Sequence, residues 1–430
     1  GKPVTAEDFS YALRRLVDPK TGAGGTAAFV HLFENGTDIL NGRKPGDALG
    51  IEVIDPYTLK IRLSIEAPYM LYLFTGSPYL PLRQDFVEAQ KGRYAADAMN
   101  LLSNGPFMVE SWVHGASLKL IRNPHYWNSD RVQLEALNFA YMTPDFRAKY
   151  NLFKSGELAS FRINATLLND AMEDGLRIHK APMNCTSWVA TNFDQTRPTS
   201  NIHFRRAISH AIDRDTYADK IVGLPGAVKV DSIFPSSTRG AAAPFQNEYP
   251  AEELSYDILQ AKESLQAAKR ELGGEMQPLS LLVSEVYLLQ AEFLQAQLTN
   301  NLGIEVRIDT QTFKQYLVKL TEGDFDLSLA GFCWGALTDP IGWVSLFTDS
   351  SAWNAAGYNN PEYNRLEQRT HHSQDIVERM SIFGRLQEIL SEDRVVVPLT
   401  ESSYVYLQDR RLKGVTRSPE INFSTGRIAN

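Results

Sequence analysis

FDLSLAGFCWGALTDPIGWVSLFTDSSAWNAAGYNNPEY, residues 325–363, holds three of the chain's six tryptophans and one of its two cysteines. Its start, FDLSLAG, is a short apolar run closed by Gly331, the pattern of a strand buried on both faces in a parallel sheet. The residues upstream read as strand 279–283, helix 287–302 stopped by Gly303, strand 304–308 and helix 313–320. Such a βαβαβ unit has parallel strands and right-handed crossovers, which sets the class as α/β. The opening stretch is then the end of the last strand, and in open α/β sheets ligands bind outside the carboxyl ends of the strands. Trp334, Trp343 and Trp353 stand among Gly335, Pro340, Gly342 and Gly357, so they do not all enter one core and some line a cleft.

A chain of 430 residues exceeds what one hydrophobic core serves, so two or three lobes are expected. The hydrophobic fraction of 43% is that of an ordinary globular protein. With 43 Lys+Arg against 51 Asp+Glu the net charge is -8, which excludes the basic stripe that nucleic acid demands. No apolar run approaches the roughly 20 residues of a membrane-spanning helix. The opening GKPVTAEDF shows no signal peptide and starts abruptly at a helix entry, as if inside a larger protein.

Elsewhere, Thr5 and Asp8 have capping-box spacing ahead of a helix ending at Asp18-Pro19. Residues 58–64 alternate as a strand, and 107–112 with 118–122 read as a hairpin. A further strand, 135–142, precedes a helix over 144–155. Two more helices are expected over 201–222 and 253–272. Cys185 and Cys333 give no metal spacing and read equally as buried thiols or one disulfide. Adjacent His371 and His372 point apart on a helix and read as a solvated face, so no metal site is expected. Asp324, Asp326 and Asp339 read as solvated turns. No phosphate loop, GxSxG elbow or HExxH is present, and neither an enzyme nor a cofactor is expected.

Six segments, GKPVTAEDFSYALRRLVDP, LLSNGPFMVESW, IRNPHYWN, NLFKSGEL, FRRAISHAIDRD and AAGYNNPEYNRL, resemble in order those of family 5 extracytoplasmic solute-binding proteins of ABC importers, the oligopeptide-binding branch above all. The resemblance implies a type II periplasmic-binding-protein fold, two lobes with a hinge plus a small extra domain. Residues 1–85 correspond to the remainder of the small domain, 86–187 with 401–430 to the main lobe, and 188–400 to the opposing lobe. The family's further N-terminal stretch is absent, in keeping with the abrupt start. Implied partners are an oligopeptide, held as an added β-strand, and a membrane permease, with the protein a monomer in the periplasm or lipid-anchored at the outer face of the cell membrane. Other ligands of the family, a dipeptide, a metal chelate or a sugar, stay open, as does the sensor domain of a transcriptional regulator.

By the same resemblance, Trp188 and Asn192 lie on a strand entering the cleft. Tyr287 sits at a ligand-proximal position, and Phe332, Cys333, Trp334, Gly335, Ala336 and Leu337 face the ligand. The resemblance also implies a Cys185–Cys333 disulfide, which an exported protein permits. The family's ammonium-binding aspartate falls on Gly335, Ala336 or Leu337, which leaves Asp339 as the nearest carboxylate. Leu320 and Leu329 stand where some relatives carry arginines.

Overall fold

The computed structural model describes residues 1–23, 29–273, 277–334, 337–417 and 421–429. The chain divides into two units, one of residues 1–65, 70–182 and 404–430, the other of residues 66–69 and 183–403.

In the first unit, helix α1 (Ala6–Val17) begins at Thr5, whose backbone N–H donates to the Asp8 carboxylate at 2.8 Å, closing the capping box. Its apolar face, Leu13, Leu16 and Val17, is buried against the hairpin of β1 (Ile51–Asp55) and β2 (Thr58–Ile61). Strands β3 (Phe107–Val113), β4 (Ser117–Arg122) and β5 (Ala136–Phe139) form an antiparallel sheet in that order. Helix α2 (Phe146–Lys154) follows, capped by the Asp145 side chain, and then the short strand β6 (Ser160–Arg162).

The chain leaves this unit inside the long strand β7 (Ile178–Thr191). In the second unit come α3 (Ile202–Ala211), the two-residue strand β8 (Val228–Lys229), α4 (Ile258–Leu272) and the alternating set β9 (Leu279–Ser284), α5 (Leu288–Leu302), β10 (Val306–Gln311), α6 (Phe313–Glu322) and β11 (Leu327–Cys333). Helices α7 (Pro361–His372) and α8 (Ile376–Glu392) lead to β12 (Val396–Gln408), which carries the chain back to the first unit, where Tyr406 pairs with Arg162 of β6.

Strand order here is β10-β9-β11-β7-β12, with β8 against β12. As the βαβαβ pattern requires, β9 runs parallel to both β10 and β11. Strand β7 returns antiparallel to β11, with Leu329 opposite Val189, Ala330 opposite Trp188 and Cys333 opposite Cys185. Gly331 is required at this pairing, because a Cβ there would stand 2.7 Å from the Thr186 carbonyl oxygen.

Period-two alternation sends the two sides of these strands into different layers. Leu279, Leu281, Val283, Leu327, Leu329 and Val189 pack under α3, α4 and α5 in the main core. On the opposite face Leu282 meets Tyr316 of α6 and Phe325, with Leu317, Leu320 and Ala356 beside them. Leu329 therefore enters the core and Leu320 lies on this second face.

Four expectations change. The helix over 201–222 breaks at Ile212, which is extended (φ -101°, ψ 116°), because Asp213 caps a new turn by accepting from the Thr216 N–H; residues 217–222 then widen into a π-helix. Helix α4 starts at Ile258 rather than 253, since the Asp257 carboxylate caps the N–H groups of Leu259 and Gln260. His371 is buried, not solvated: its Nδ1 lies 2.8 Å from the Tyr69 hydroxyl and its Nε2 3.0 Å from Glu367. Asp326 is no free turn either, holding Arg197 at 2.9 Å and the Ser280 N–H at 2.7 Å.

Candidate functional site

The end of β11 and the facing part of β7 build one wall. Cys185 and Cys333 oppose each other across the antiparallel pair with Cα atoms 4.3 Å apart and are joined by a disulfide spanning 148 residues of chain. Phe332, one residue before, turns to the second face of the sheet. Its ring lies 4.9 Å from that of Trp334 and 5.2 Å, edge-on, from that of Trp353. Trp188, two strand positions along on β7, is buried and meets Phe347 at 6.0 Å. Trp334 fits because position 342 is glycine: a Cβ there would come within 2.9 Å of its indole.

Beside them a cavity of about 280 Å³ opens within the second unit, between this sheet face, helix α6 and the aromatic segment 346–358. Trp188, Phe332 and Cys333 line it with Tyr316, Leu320, Phe347, Trp353 and Val396. No Asp, Glu, Lys, Arg or His stands among the described lining residues. The polar groups that do are mostly spent. Tyr316 donates to the Leu329 carbonyl at 3.1 Å, and Asn354 donates to the carbonyls of Thr348 and Tyr358 at 3.0 and 2.7 Å. Burial pushes the Tyr316 hydroxyl up to about 12, and Tyr358 is likewise raised by burial and by its bond to Asp393, so both stay neutral at ordinary pH.

The other residues singled out in the sequence are dispersed. Asn192 is a backbone pin, its amide donating to the carbonyls of Gly323 and Phe325 at 2.9 Å each. Tyr287 is 44% exposed at the turn before α5. Leu337 is buried. Asp339 is held by Arg379 of α8 through both oxygens, at 2.6 and 2.8 Å. Gly335 and Ala336 lie outside the described residues. Of the three tryptophans, Trp343 is wholly buried while Trp334 and Trp353 are partly exposed. The sequence reading missed Tyr316 and Phe347. The i, i+3, i+4, i+7 spacing of Phe313, Tyr316, Leu317 and Leu320 was the available signal. Among the described residues no His, Cys, Asp or Glu cluster suits a metal ion, and no helix is long and apolar enough to cross a membrane.

The architecture is that of a solute-binding protein. A crystal structure of an oligopeptide ABC transporter substrate-binding domain from Bacillus anthracis matches with a TM-score of 0.92 at 26% identity, covering 100% of this chain and 85% of that one. Peptide-bound OppA of Listeria monocytogenes matches with a TM-score of 0.90, also at 26% identity, covering 100% and 85%. The profile of the bacterial extracellular solute-binding proteins, family 5 Middle, matches residues 1–355, and the chain belongs to that family. Among curated relatives, the oligopeptide-binding protein OppA of Bacillus subtilis is 26% identical over 96% of this chain and 76% of its own length. The periplasmic murein peptide-binding protein MppA of Escherichia coli is 28% identical over 98% and 77%.

Proposed function

We propose that this chain is an extracytoplasmic receptor that captures oligopeptides and delivers them to the permease of an ABC transporter. The observation that carries it is a likeness running the length of the chain to a protein solved with peptide bound, at a TM-score of 0.90. The site chemistry agrees. An aromatic wall with no nucleophile–base pair is suited to binding, and the chain acts as a receptor rather than an enzyme.

The proposed ligand wall is Trp188, Phe332, Cys333 and Trp334, to which the family resemblance adds Gly335, Ala336 and Tyr287. Main-chain hydrogen bonds to an extended peptide supply affinity that tolerates varied side chains. Residues 1–85 form the remainder of the small extra domain, 86–187 with 401–430 the main lobe and 188–400 the opposing lobe. The receptor works as a monomer, in the periplasm or lipid-anchored at the outer face of the membrane.

Mass spectrometry of what co-purifies with the protein tests this reading. A ladder of short peptides supports it; a single haem, sugar or metal chelate overturns the peptide assignment. Dipeptides alone would narrow it towards the dipeptide-binding relative DppE of Bacillus subtilis, 26% identical over 97% of this chain.

A further inference from the structure

We propose that the sheet face bearing Arg162, Tyr404 and Tyr406 in the first unit, with Arg417 over it, binds an oxyanion, a carboxylate or a phosphate. The site stands whether or not the receptor's cargo is a peptide.

Strand register brings the groups together. Arg162 of β6 lies opposite Tyr406 of β12, and Tyr404, two residues back, shares the face of Tyr406. The rings of Tyr404 and Tyr406 are 5.5 Å apart, with the Arg162 guanidinium 5.6 Å over the first and that of Arg417 4.1 Å over the second. Ser160, on the same side of β6 as Arg162, accepts from Arg417 Nη2 at 2.6 Å. From the neighbouring strand β7, the His179 ring stacks 5.1 Å from that of Tyr406.

Charge decides what the face is for. Arg417 is only 7% exposed, yet its Nε and Nη1 are buried without an acceptor. A guanidinium carries five N–H groups and does not give up its proton, so burying one calls for an anion beside it. Arg379 shows the satisfied case, because Asp339 meets it through both oxygens. Arg417 has no such partner: burial disfavours its charge, and only the phenols of Tyr406 and Tyr404 act on it in return. A ring face attracts the cation but leaves Nε and Nη1 without an acceptor. Burial, Arg177, Arg417 and Lys413 together push His179 below its ordinary value, so the imidazole is neutral at pH 7. Four cations, Arg162, Arg177, Lys413 and Arg417, thus gather with no paired carboxylate among the described residues, in a chain whose net charge is -8. Arg177 and Lys413 are exposed, so their field reaches solvent and draws an anion in, while Arg162 and Arg417 supply the unspent donors that hold it.

The test is thermal unfolding of the purified protein, stripped of co-purified ligand by unfolding and refolding, in rising sodium phosphate at constant ionic strength. Phosphate should raise the midpoint along a saturating curve, over and above the unsaturable rise that an excluded salt gives any protein. In Arg417→Met the midpoint without phosphate should rise, since a buried unpaired charge is gone, and the saturating increment should vanish. Arg162→Gln, at a half-buried position that tolerates change, should weaken phosphate about 10-fold. Calorimetric titration with alanine pentapeptides carrying one Glu or one Gln separates the sources of the anion. Glu binding about 10-fold more tightly than Gln at one position, with the preference lost in Arg417→Met, assigns the site to an acidic group of a peptide. A phosphate increment without that preference assigns it to a free anion. Neither a saturating increment nor a Glu preference overturns the site, and so does either response that survives both substitutions.

Discussion

Asp339 and Arg379 form a two-point ion pair, the guanidinium meeting the carboxylate oxygens at 2.6 and 2.8 Å while only 1% of the arginine is exposed. Arg379 is further committed through Nε to the Thr370 carbonyl at 2.9 Å and lies over the rings of Tyr69 and Phe383. Removing Asp339 strands a buried cation, which costs about 3–5 kcal/mol, whereas replacing both partners with apolar residues of similar volume is close to neutral. Asp339→Ala should therefore lower the free energy of unfolding by about 3 kcal/mol in urea titration, and Asp339→Leu with Arg379→Met should recover most of it. An Asp339→Ala protein of undiminished stability but weakened peptide binding would instead give the carboxylate to the ligand.

The disulfide closes a loop with a sequence separation of 148 residues, and constraining so long a loop stabilises a fold by about 3–5 kcal/mol in the chain-entropy account. Cys185→Ser with Cys333→Ser should shift the denaturant midpoint down by a corresponding amount. The same shift should follow on adding a reductant to the unaltered protein and be absent when the reductant is added to the double variant. A shift equally large in the double variant would place the effect elsewhere.

The parallel core was legible because β9 and β11 open as short apolar runs, β10 alternates from Val306 to Ile308, and the helices between them stop at Gly303 and Gly323, both with positive φ. The long strand β7 was not. Its sequence IHKAPMNCTSWVAT contains a proline and Asn184 at φ 51°, features that break the alternation from which a strand is recognised. The break after α3 was visible only as Asp213 three residues before Thr216, a cap signal inside an apolar periodic run.

The site divides the same way. An aromatic concentration at the end of β11 could be read from sequence, but the partner of Asp339 lies 40 residues on and Tyr69, which joins His371, lies 302 residues back, so no local pattern carries these two contacts. The cavity is a tertiary feature altogether. The face of α6 is a plain amphipathic stripe, and the rest of the cavity wall, Trp188, Phe347 and Trp353, arrives from two other segments.

Tyr69, His371 and Glu367 form a buried hydrogen-bonded chain, each less than 5% exposed. The segment 66–69 is counted with the second unit although its neighbours on either side belong to the first, so this chain is one of the ties that hold it there. Tyr69→Phe removes the hydroxyl and its hydrogen bond to the His371 ring, at about 0.5–1.5 kcal/mol. Hydrogen exchange should show faster opening of residues 66–73 in the variant, with exchange in the β9–β11 core unchanged; uniform loss of protection would mean the tie is not local.

Glu248 supplies the clearest pH dependence. Its carboxylate accepts from the backbone N–H groups of Ala241, Ala242 and Ala243, at 2.8, 2.7 and 2.6 Å, and these bonds hold its pKa below the ordinary 4.5, the Ala242 bond contributing most. In the unfolded chain the bonds are gone and the ordinary value returns. Between the depressed folded value and about 4.5 the unfolded state binds a proton that the folded state does not, so stability rises with pH across that window. The contribution is complete above about 4.5 and disappears as pH falls through the folded value. Gly240 leaves room for the turn, since a Cβ there would stand 2.7 Å from the Ala243 carbonyl oxygen. Glu248→Gln should lower the urea midpoint at pH 7 and converge with the unaltered protein by pH 3; a gap between the two that stays constant from pH 7 to pH 3 would mean that the carboxylate's charge is not what the loop uses.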